Sequence, residues 1–349
     1  MKLIGIGDLF IPSECIEEGF QELTQHGVSI ETVEWQLKDF DELQGINLKI
    51  EQGGSDAVEV PEYIIDKVKD AEIIITHFCP ITKKLIDSCS SLKIIGVLRS
   101  GYENINLTYV KEKNIPVFNT PGRNAEAVSD FTIGMMISEC RNIAKGHHAL
   151  KKGKWIRTYP NYETIPDLVN RTVGLIGLGE IGLKVAKKLS GFDMKVLGYD
   201  PYANYEIAKE YGIDMVELDE VLKLSDFVSI HARLTEENHK MIRARELSLM
   251  KPTAYLINTA RAGLVDEYAL YEALKSKSIA GAGIDVFEKE PPGKDHPLVT
   301  LDNITITPHM AGGSKDAFFN SPKKLAGDMK NLFGDKTKIR FLLNPESIA

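Results

Sequence analysis

Short runs of apolar, often β-branched residues alternate with longer polar or amphipathic stretches along the 349 residues of the chain. Short apolar runs bounded by glycine or polar residues predict buried strands, and the stretches between them predict helices. Alternating strands and helices predict an α/β fold with parallel sheets covered on both faces. The predicted strands cover residues 2–6, 30–33, 73–76, 93–98 and 116–119, and then 173–176, 195–199, 227–231, 254–259, 280–287 and 304–307.

An apolar run in mid-chain ends in three glycines, Gly177, Gly179 and Gly182, and the next apolar run ends on Asp200. A strand, a glycine turn, a helix and a second strand ending in an acid are typical of a dinucleotide site. The first glycine permits a tight turn, the second lets backbone amides approach a pyrophosphate, and the third lets the helix pack closely on the sheet. The pyrophosphate would lie at the helix N-terminus, where unpaired amides favour an anion.

Asp200 indicates which dinucleotide is bound. Its carboxylate can accept hydrogen bonds from the ribose hydroxyls and would repel a 2′-phosphate. The Pro201-Tyr202 that follow supply no arginine for that phosphate. The sequence therefore favours NAD over NADP.

The position of the glycine turn predicts the order of the domains. The turn should mark the first strand of a dinucleotide domain, yet separate α/β material precedes it. We therefore expect a substrate domain from residues 1–120 and 313–349, and an NAD-binding domain from 121–312. A proline-free stretch between Asn124 and Lys152 predicts one long helix. If the last helix returned to the first domain, two crossings would form a cleft suited to a small ligand.

Composition narrows the class of protein further. Hydrophobic residues make up 43% and charged residues 26% of the chain, as in an ordinary globular protein, and its net charge of −8 argues against a nucleic-acid partner. No apolar run approaches the ~18 residues of a membrane span, and we expect no signal peptide because the N-terminal segment reaches Asp8 too soon for one. The four cysteines show neither CxxC pairing nor metal spacing, which predicts reduced thiols, a cytoplasmic protein and no metal site.

Three ionisable residues, Arg261, Glu290 and His309, each lie just past a predicted strand. Ligands of open parallel sheets bind at the carboxyl ends of strands, so the three can reach one site. Histidine can exchange a proton near neutral pH, a carboxylate can hold its tautomer, and arginine can grip a carboxylate with two bonds. With a hydride carrier, this set predicts oxidation of a 2-hydroxy acid. Taken singly, the three residues also fit a surface charge, a loop acid and a structural histidine.

Five segments carry a more specific resemblance: residues 119–124, 177–182, 258–266, 283–291 and 307–313. In these segments the chain closely resembles the NAD-dependent D-2-hydroxy acid dehydrogenases, which include phosphoglycerate, glycerate and D-lactate dehydrogenases. The resemblance implies a two-lobed α/β fold, with a doubly wound Rossmann domain for NAD and a flavodoxin-like substrate domain. It also implies a homodimer built by the region 124–170.

The resemblance assigns roles to individual residues. Arg261 would bind and polarise the substrate, Glu290 would orient the histidine, and His309 would be the general acid and base. Asp285 would contact the nicotinamide carboxamide, and His231 would line the cofactor. The positions expected at the cofactor are Gly177, Gly179, Glu180, Ile181, Gly182, Asp200, His231, Thr259, Ala260 and Asp285.

The chain departs from the family pattern in its substrate loops. The usual Gly-x-Gly is Arg99-Ser100-Gly101 here, and Arg233 replaces a proline on the cofactor side, where it can be a plain solvated charge. The Arg99 guanidinium could clamp a second carboxylate, a phosphate or hydroxyls of the substrate, or pair with Glu103. In the other substrate loop, Phe78 and Cys79 could contact the substrate tail or pack the loop.

The predicted function is that of a cytoplasmic, dimeric, NAD-dependent D-2-hydroxy acid dehydrogenase. Its substrate would be phosphoglycerate or another hydroxy acid with an anionic or polar tail. The alternative is a corepressor or scaffold that senses NAD on the same fold, although such a protein has no need of a proton-transfer histidine. A nucleoside-binding hydrolase or methyltransferase is a weaker alternative.

Overall fold

In the computed structural model, which describes residues 1–348, the chain forms two compact units. Unit 1 consists of Met1–Arg123 and the described residues from Ser314 onward, and unit 2 consists of Asn124–Gly313. Of the predicted segment 313–349, Ala349 lies outside the described residues. Each unit contains one parallel sheet, so the predicted α/β class is confirmed.

The sheet of unit 1 has five parallel strands in the order β2-β1-β3-β4-β5. This is the strand order of a flavodoxin-like domain. The central strands are buried on both faces, which explains their continuous apolar sequences. The strands are β1 Lys2–Gly7, β2 Ser29–Glu34, β3 Ile73–Thr76, β4 Ile94–Val97 and β5 Val117–Phe118.

Five helices of unit 1 connect and flank these strands. Several begin with a capping side chain, such as Thr82, whose hydroxyl accepts from the amide of Leu85, and Asn106, whose side chain accepts from the amide of Tyr109. The helices are α1 Ser13–Phe20, α2 Phe40–Gly53, α3 Glu62–Val68, α4 Lys83–Ser88 and α5 Leu107–Glu112.

The sheet of unit 2 has seven parallel strands in the order β12-β11-β10-β9-β6-β7-β8. Its first strand, β6, lies between β7 and β9, so the chain winds outward in both directions from that point. This arrangement is the Rossmann order, which confirms the predicted doubly wound domain. The strands are β6 Thr172–Ile176, β7 Lys195–Tyr199, β8 Ile213–Met215, β9 Phe227–Ile230, β10 Tyr255–Asn258, β11 Gly281–Ile284 and β12 Ile304–Ile306.

In unit 2 one strand was not predicted and another was predicted too long. Strand β8 was missed because it is an edge strand of three residues, of which Ile213 alone is buried. Strand β11 ends at Ile284, whereas the apolar pattern predicted a strand as far as Phe287. Val286 and Phe287 lie beyond the end of the strand although they are buried, so burial rather than strand pairing explains their apolar character.

The helices of unit 2 cover both faces of its sheet, and one prediction fails among them. The single long helix expected between Asn124 and Lys152 is two helices, because Asn142 has a left-handed φ of 57° that a helix cannot continue. The helices are α6 Ala125–Cys140, α7 Ile143–Lys151, α8 Glu180–Leu189, α9 Tyr205–Glu210, α10 Leu218–Leu224, α11 Ala244–Leu249 and α12 Glu267–Lys275.

The C-terminal segment packs on unit 1 through α13 Lys315–Phe319 and α14 Ser321–Met329. Leu325 and Met329 of α14 share a core with Phe20 of α1 and with the β3 side chains on that face of the sheet. The buried carboxylate of Asp328 accepts hydrogen bonds from the backbone amides of Arg340 and Phe341. Within residues 1–348, no helix has the length and apolar character needed to cross a membrane.

Candidate active site

The glycine turn of unit 2 joins β6 to α8, and two of its glycines are required by close packing. Gly177 has a φ of 94°, and a Cβ there would lie 2.5 Å from the amide nitrogen of Ala232. A Cβ on Gly182 would overlap the carbonyl oxygen of Gly177. Neither position accepts a side chain, so the turn holds β6 and α8 close together.

Gly179 differs, because a Cβ built there meets no atom within 4 Å. It caps α8, whose first residues are Glu180 and Ile181. Open space therefore lies beside the N-terminus of this ten-residue helix, where the helix dipole favours an anion. This geometry fits the pyrophosphate of a dinucleotide, as the sequence predicts for Gly179.

Asp200 follows β7, and each of its carboxylate oxygens accepts a hydrogen bond from a backbone amide. Oδ2 accepts from the amide of Leu178 at 2.8 Å, and Oδ1 accepts from the amide of Tyr202 at 2.8 Å. Each oxygen keeps a second lone pair, which leaves room for ribose hydroxyls. The carboxylate is thus held beside the glycine turn and fits the proposed selection of NAD.

His231 follows β9, and only one of its two ring nitrogens has a hydrogen-bond partner in the described chain. Its Nε2 pairs with the hydroxyl of Ser229 at 2.9 Å, while its buried Nδ1 has no hydrogen-bond partner in the described chain. Burial lowers the pKa of His231 to about 4, so the imidazole is neutral near pH 7. An unpartnered buried nitrogen is consistent with a polar group of a bound cofactor.

Thr259 and Ala260 follow β10. The hydroxyl of Thr259 pairs with that of Thr132 at 2.7 Å, and the amide of Ala260 donates to the side chain of Asn258 at 3.0 Å. These bonds fix the backbone from which Arg261 projects. The guanidinium of Arg261 donates to the carbonyl of Ala260 at 2.8 Å.

Asp285 is fully buried just past β11 and organises the loop that carries the histidine. Its carboxylate accepts from the hydroxyl of Thr307 at 2.6 Å and from the amides of Met310 and Ala311 at 2.9 and 2.8 Å. Asp285 is predicted to contact the cofactor, and this anchoring of the loop was not predicted. The signal was present in the chain, since a buried acid needs nearby donors, but those donors lie more than 20 residues away.

Glu290 and His309 form the central pair of the site. The Nδ1 atom of His309 lies 2.8 and 3.1 Å from the two carboxylate oxygens of Glu290, and Glu290 also accepts from the amide of Phe287 at 3.1 Å. A carboxylate can only accept, so Nδ1 carries the proton and Nε2 offers its lone pair. His309 has a φ of 51°, an uncommon value for a residue with a side chain and one that clusters at functional sites.

A cavity of about 610 Å³ in unit 2 brings the three predicted residues together. Arg261, Glu290 and His309 all line it, as the position of each residue past a strand predicts. Two further charged residues, Lys240 and Glu288, also line the cavity and form an ion pair at 3.3 Å. Neither residue is among the predicted site residues, because Lys240 lies in a turn without a strand or motif signal and its pairing with Glu288 joins distant segments.

The predicted substrate loops lie in unit 1. Arg99 donates to the Asn47 side chain at 2.8 Å, and its guanidinium lies 3.4 Å from a carboxylate oxygen of both Glu51 and Glu103. The expected alternative of a pair with Glu103 is therefore present, and Glu51 strengthens it.

The other residues of these loops differ in exposure. Cys79 is 1% exposed and packs in the core, where burial raises the pKa of its thiol. Phe78 is nearly buried, and its ring lies 4.8 Å from the Arg99 guanidinium carbon. Ser100 is exposed and Gly101 is partly exposed, and the Ser100 carbonyl accepts from the Asn119 side chain at 2.6 Å. Packing thus accounts for Cys79 in this structure.

Rossmann topology, a glycine turn before a helix and an imidazole–carboxylate pair beside an arginine define a dinucleotide-dependent oxidoreductase. The family model described as "D-isomer specific 2-hydroxyacid dehydrogenase, NAD binding domain" matches residues 133–311. The chain therefore belongs to the D-isomer-specific 2-hydroxyacid dehydrogenases, NAD-dependent oxidoreductases that act on the CH–OH group of 2-hydroxy acids.

Individual relatives agree with this assignment. The D-3-phosphoglycerate dehydrogenase of Methanocaldococcus jannaschii is 40% identical over 258 residues, 73% of this chain and 48% of the relative. The chain thus spans about half the length of that relative. The glyoxylate reductase of Korarchaeum cryptofilum is 38% identical over 255 residues, 72% of this chain and 77% of the relative.

Among solved structures, the D-isomer-specific 2-hydroxyacid dehydrogenase of Lactobacillus delbrueckii ssp. bulgaricus, in its NAD-complexed form, superimposes with a TM-score of 0.75. It is 25% identical, and the match covers 99% of this chain and 100% of that one. The comparisons support NAD as the cofactor and give no support to the corepressor alternative.

Proposed function

We propose that this protein interconverts a D-2-hydroxy acid and its 2-oxo acid, with Arg261, Glu290 and His309 as its catalytic residues. The observation that carries this proposal is the contact of 2.8 Å between Glu290 and Nδ1 of His309, in the cavity that Arg261 also lines. The pair leaves one nitrogen of an exposed imidazole free to exchange a proton with a substrate.

In the proposed reaction, His309, Glu290 and Arg261 have different roles. Nε2 of His309 accepts the proton of the substrate hydroxyl during oxidation, and the protonated ring returns it during reduction. Glu290 holds Nδ1–H and stabilises the imidazolium that forms. Arg261 binds the substrate carboxylate through its guanidinium. NAD, when bound, supplies the acceptor or donor of the hydride.

Two groups of residues would hold the cofactor. Gly179 and the first amides of α8 would receive the pyrophosphate, and Asp200 would receive the ribose hydroxyls. The buried, unpartnered Nδ1 of His231 would lie toward the nicotinamide half, with Thr259 and Ala260. Asp285 contributes there by holding the backbone of Met310 and Ala311.

A hydroxy acid with an anionic or polar tail is the substrate class that we propose. The relatives carry different substrate names, D-3-phosphoglycerate and glyoxylate among them, so family membership leaves the tail open. The replacement of the first loop glycine by Arg99 supports an anionic tail, because it adds a guanidinium to a substrate loop.

The activity is tested by a panel of 2-oxo acids with NADH: pyruvate, glyoxylate, hydroxypyruvate, 3-phosphohydroxypyruvate and 2-oxoglutarate. We expect turnover of at least one acid, and a loss of about 10²- to 10⁴-fold in kcat for His309→Gln with NADH affinity retained. His26→Gln, an exposed histidine of unit 1, is the matched control and should keep full activity. A panel without turnover, on which His309→Gln changes nothing, would contradict the proposal.

We also propose that the protein is a homodimer through the region 124–170. Large apolar side chains are exposed there: Trp155 is 79%, Leu150 58%, Tyr162 58% and Ile143 56% exposed. Exposed apolar groups concentrated in one segment are typical of an interface. Light scattering should show a dimer for the native chain and a monomer for Leu150→Asp/Trp155→Asp, whereas Tyr202→Asp, at a residue that is 93% exposed, should remain dimeric.

A cytoplasmic location is the remaining part of the proposal. All four cysteines are free thiols, and three of them are buried. A protein that keeps buried thiols without disulfides suits a reducing compartment. Imaging of a tagged chain in its host cell, with a secreted and a cytoplasmic marker, would test the location.

A further inference from the structure

Unit 2 contains an arginine beside the cofactor site that neither the proposed reaction nor the proposed cofactor contacts use. Arg233 lies on the segment that follows β9, two residues past His231. Its side chain is exposed, and in the part of the chain that the structure describes it makes no hydrogen bond or ion pair. The guanidinium is therefore available to a group from outside the chain.

The segment that carries Arg233 lies directly against the glycine turn. The amide of His231 donates to the carbonyl of Ile176, the last residue of β6, at 2.7 Å. A Cβ built on Gly177 would lie 2.5 Å from the amide nitrogen of Ala232 and 2.7 Å from its Cα atom. Arg233 is thus one residue away from a close backbone contact with the turn that would receive the pyrophosphate.

The backbone of Arg233 is fixed although its side chain is unpaired. The Asn238 side chain donates to the carbonyl of Arg233 at 2.7 Å and accepts from the amide of Thr235 at 2.8 Å. One amide side chain therefore ties the short segment back on itself. A guanidinium that projects from an ordered backbone loses less freedom when it binds a ligand.

The charges of the cofactor site show why a cation is needed there. Among the residues predicted at the cofactor, Glu180, Asp200 and Asp285 are acids, and burial keeps His231 neutral. Glu180 lies in the first turn of α8, beside the place proposed for the pyrophosphate. The helix N-terminus supplies about half a positive charge, which is too little to balance a carboxylate and a pyrophosphate together.

Other cations of unit 2 are compensated, distant or assigned elsewhere. Lys184 of α8 is paired with Glu126. Arg171 has no side-chain partner among the described residues, but it precedes β6 and so lies at the opposite end of that strand. Arg261 is assigned to the substrate carboxylate. Arg233, by contrast, combines an unpaired charge with a position at the carboxyl edge of the sheet beside the glycine turn.

We propose that Arg233 binds the pyrophosphate of the dinucleotide, and that Asn238 positions the backbone from which Arg233 projects. A guanidinium can donate two parallel hydrogen bonds to phosphate oxygens, and its charge offsets the carboxylate of Glu180. The inference rests on the proposed function for the place of the pyrophosphate at Gly179 and α8. It uses residues of unit 2 alone and no step of the reaction.

Binding of NADH, followed by its fluorescence, tests this role without any substrate. Arg233→Met should raise Kd for NADH about 10- to 50-fold, because a charge-assisted contact is lost. Arg233→Lys keeps the charge but loses the fork, so an intermediate rise is expected. Because the side chain is exposed, Tm of both ligand-free variants should equal that of the native chain.

Arg171→Met is the matched control, because it removes the same charge from an exposed, unpaired arginine of the same unit. The control should leave Kd for NADH within about twofold of the native value. An unchanged Kd in Arg233→Met, or an equal rise in the two variants, would overturn the inference.

Fragments of the cofactor locate the contact. ADP-ribose keeps the pyrophosphate, whereas adenosine keeps only the base and one ribose. In calorimetric titrations, Arg233→Met should weaken ADP-ribose as much as NADH and change Kd for adenosine less than about twofold. An equal loss for adenosine would place Arg233 against the base, and a loss confined to NADPH would place it at a 2′-phosphate. Either result would overturn the assignment to the pyrophosphate.

Ionic strength provides a readout that a merely structural role would not move. Kd for NADH should rise between about 0.05 and 0.5 M salt in the native chain and in Arg171→Met, and should rise less in Arg233→Met. Parallel salt profiles for the three chains would identify Arg233 as a solvated surface charge and refute its contact with the pyrophosphate.

The positioning role of Asn238 is tested by a double-mutant cycle. Asn238→Ala should raise Kd for NADH about twofold to fivefold in the native chain and cause no further rise in Arg233→Met, because both changes remove the same contact. Additive effects would remove Asn238 from the proposal.

The same measurements separate this inference from the proposed function. A chain that binds NADH through Arg233 yet reduces no oxo acid would contradict the proposed function and support the role of Arg233. A chain that reduces an oxo acid and binds NADH equally well as Arg233→Met would support the proposed function and overturn the role of Arg233. A native chain that binds no NADH would contradict both.

Discussion

The two units each hold an imidazole–carboxylate pair past the carboxyl ends of their strands, and the pairs differ in burial. In unit 2, His309 and Glu290 have side chains that are 48% and 39% exposed. In unit 1, His77 and Asp8 have side chains that are 0% and 1% exposed. Both pairs join Nδ1 to a carboxylate, at 2.8 and 3.1 Å.

The difference shows that environment, rather than residue type, decides what such a pair can do. His309 lines a cavity and its Nδ1 is held by Glu290, so Nε2 is the ring nitrogen proposed to exchange a proton with a substrate. The Nε2 of His77 faces Arg123, and burial keeps that ring neutral and shielded from water. One pair is suited to catalysis, and the other to holding a neighbouring group in place.

The largest expected effect is on catalysis by the exposed pair. Glu290→Gln removes the charge that stabilises protonated His309 and permits the wrong tautomer, so we expect kcat to fall by about 10²- to 10⁴-fold. NADH affinity should remain unchanged. Steady-state kinetics with the best acid of the panel would measure both, and full activity in this variant would remove Glu290 from the mechanism.

The buried pair of Asp8 and His77 should contribute more to the free energy of unfolding than the exposed pair of Glu290 and His309. Asp8→Ala deprives three backbone amides and His77 of their acceptor, and breaking a buried pair costs about 3–5 kcal/mol. Glu290→Ala, at a pair near the surface, should change the free energy of unfolding by less than about 1 kcal/mol. Urea titrations of the two variants measure the contrast. Similar losses in both variants would show that burial does not distinguish the pairs.

Alanine substitutions in the glycine turn should have smaller effects, and the two positions should distinguish an effect on NADH binding from an effect on folding. Gly179→Ala should weaken NADH binding about tenfold, because its Cβ enters the space proposed for the pyrophosphate, while stability changes by less than about 1 kcal/mol. Gly182→Ala, whose Cβ overlaps the Gly177 carbonyl, should lower both binding and Tm. Fluorescence titration with NADH and thermal unfolding test this, and unchanged NADH affinity in Gly179→Ala would place the pyrophosphate elsewhere.

A third imidazole, His231, has no carboxylate partner and gives the smallest expected effect. Its pKa of about 4 in the folded chain lies below the ordinary 6.5, so its neutral form contributes stability above pH 6.5 that is lost between pH 6.5 and 4. Between pH 7 and 5 the native chain should lose about 1–2 kcal/mol more stability than His231→Gln. His26→Gln is the control, and parallel pH profiles for all three chains would contradict the assigned burial.

Much of the fold could be predicted from local pattern. Apolar runs located most strands, and Gly177, Gly179 and Gly182 marked the first strand of the Rossmann domain. The predictions failed where backbone conformation ended an element or where a strand was too short to show an apolar pattern. Asn142 breaks a helix through a left-handed backbone conformation, and β8 is too short and too exposed to carry an apolar signal.

The residues of the candidate site could be predicted from the sequence, but several of the hydrogen bonds and ion pairs that hold them could not. Arg261, Glu290 and His309 line the same cavity because each follows a strand of one parallel sheet. The positions of these residues just past the predicted strands were enough to predict this. The anchoring of the His309 loop by Asp285 and the pairing of Lys240 with Glu288 depend on contacts between segments far apart in the chain. Hydrogen bonds of that kind leave no local periodicity.

The sequence by itself determined the class of fold, the cofactor and the residues able to exchange a proton, because strand patterns, glycine turns and ionisable groups are local properties. Only the tertiary structure decided which imidazole is exposed and which is buried, and which arginine is paired. Burial and pairing depend on what the rest of the chain brings against a side chain, and two identical residue types can therefore end in opposite roles.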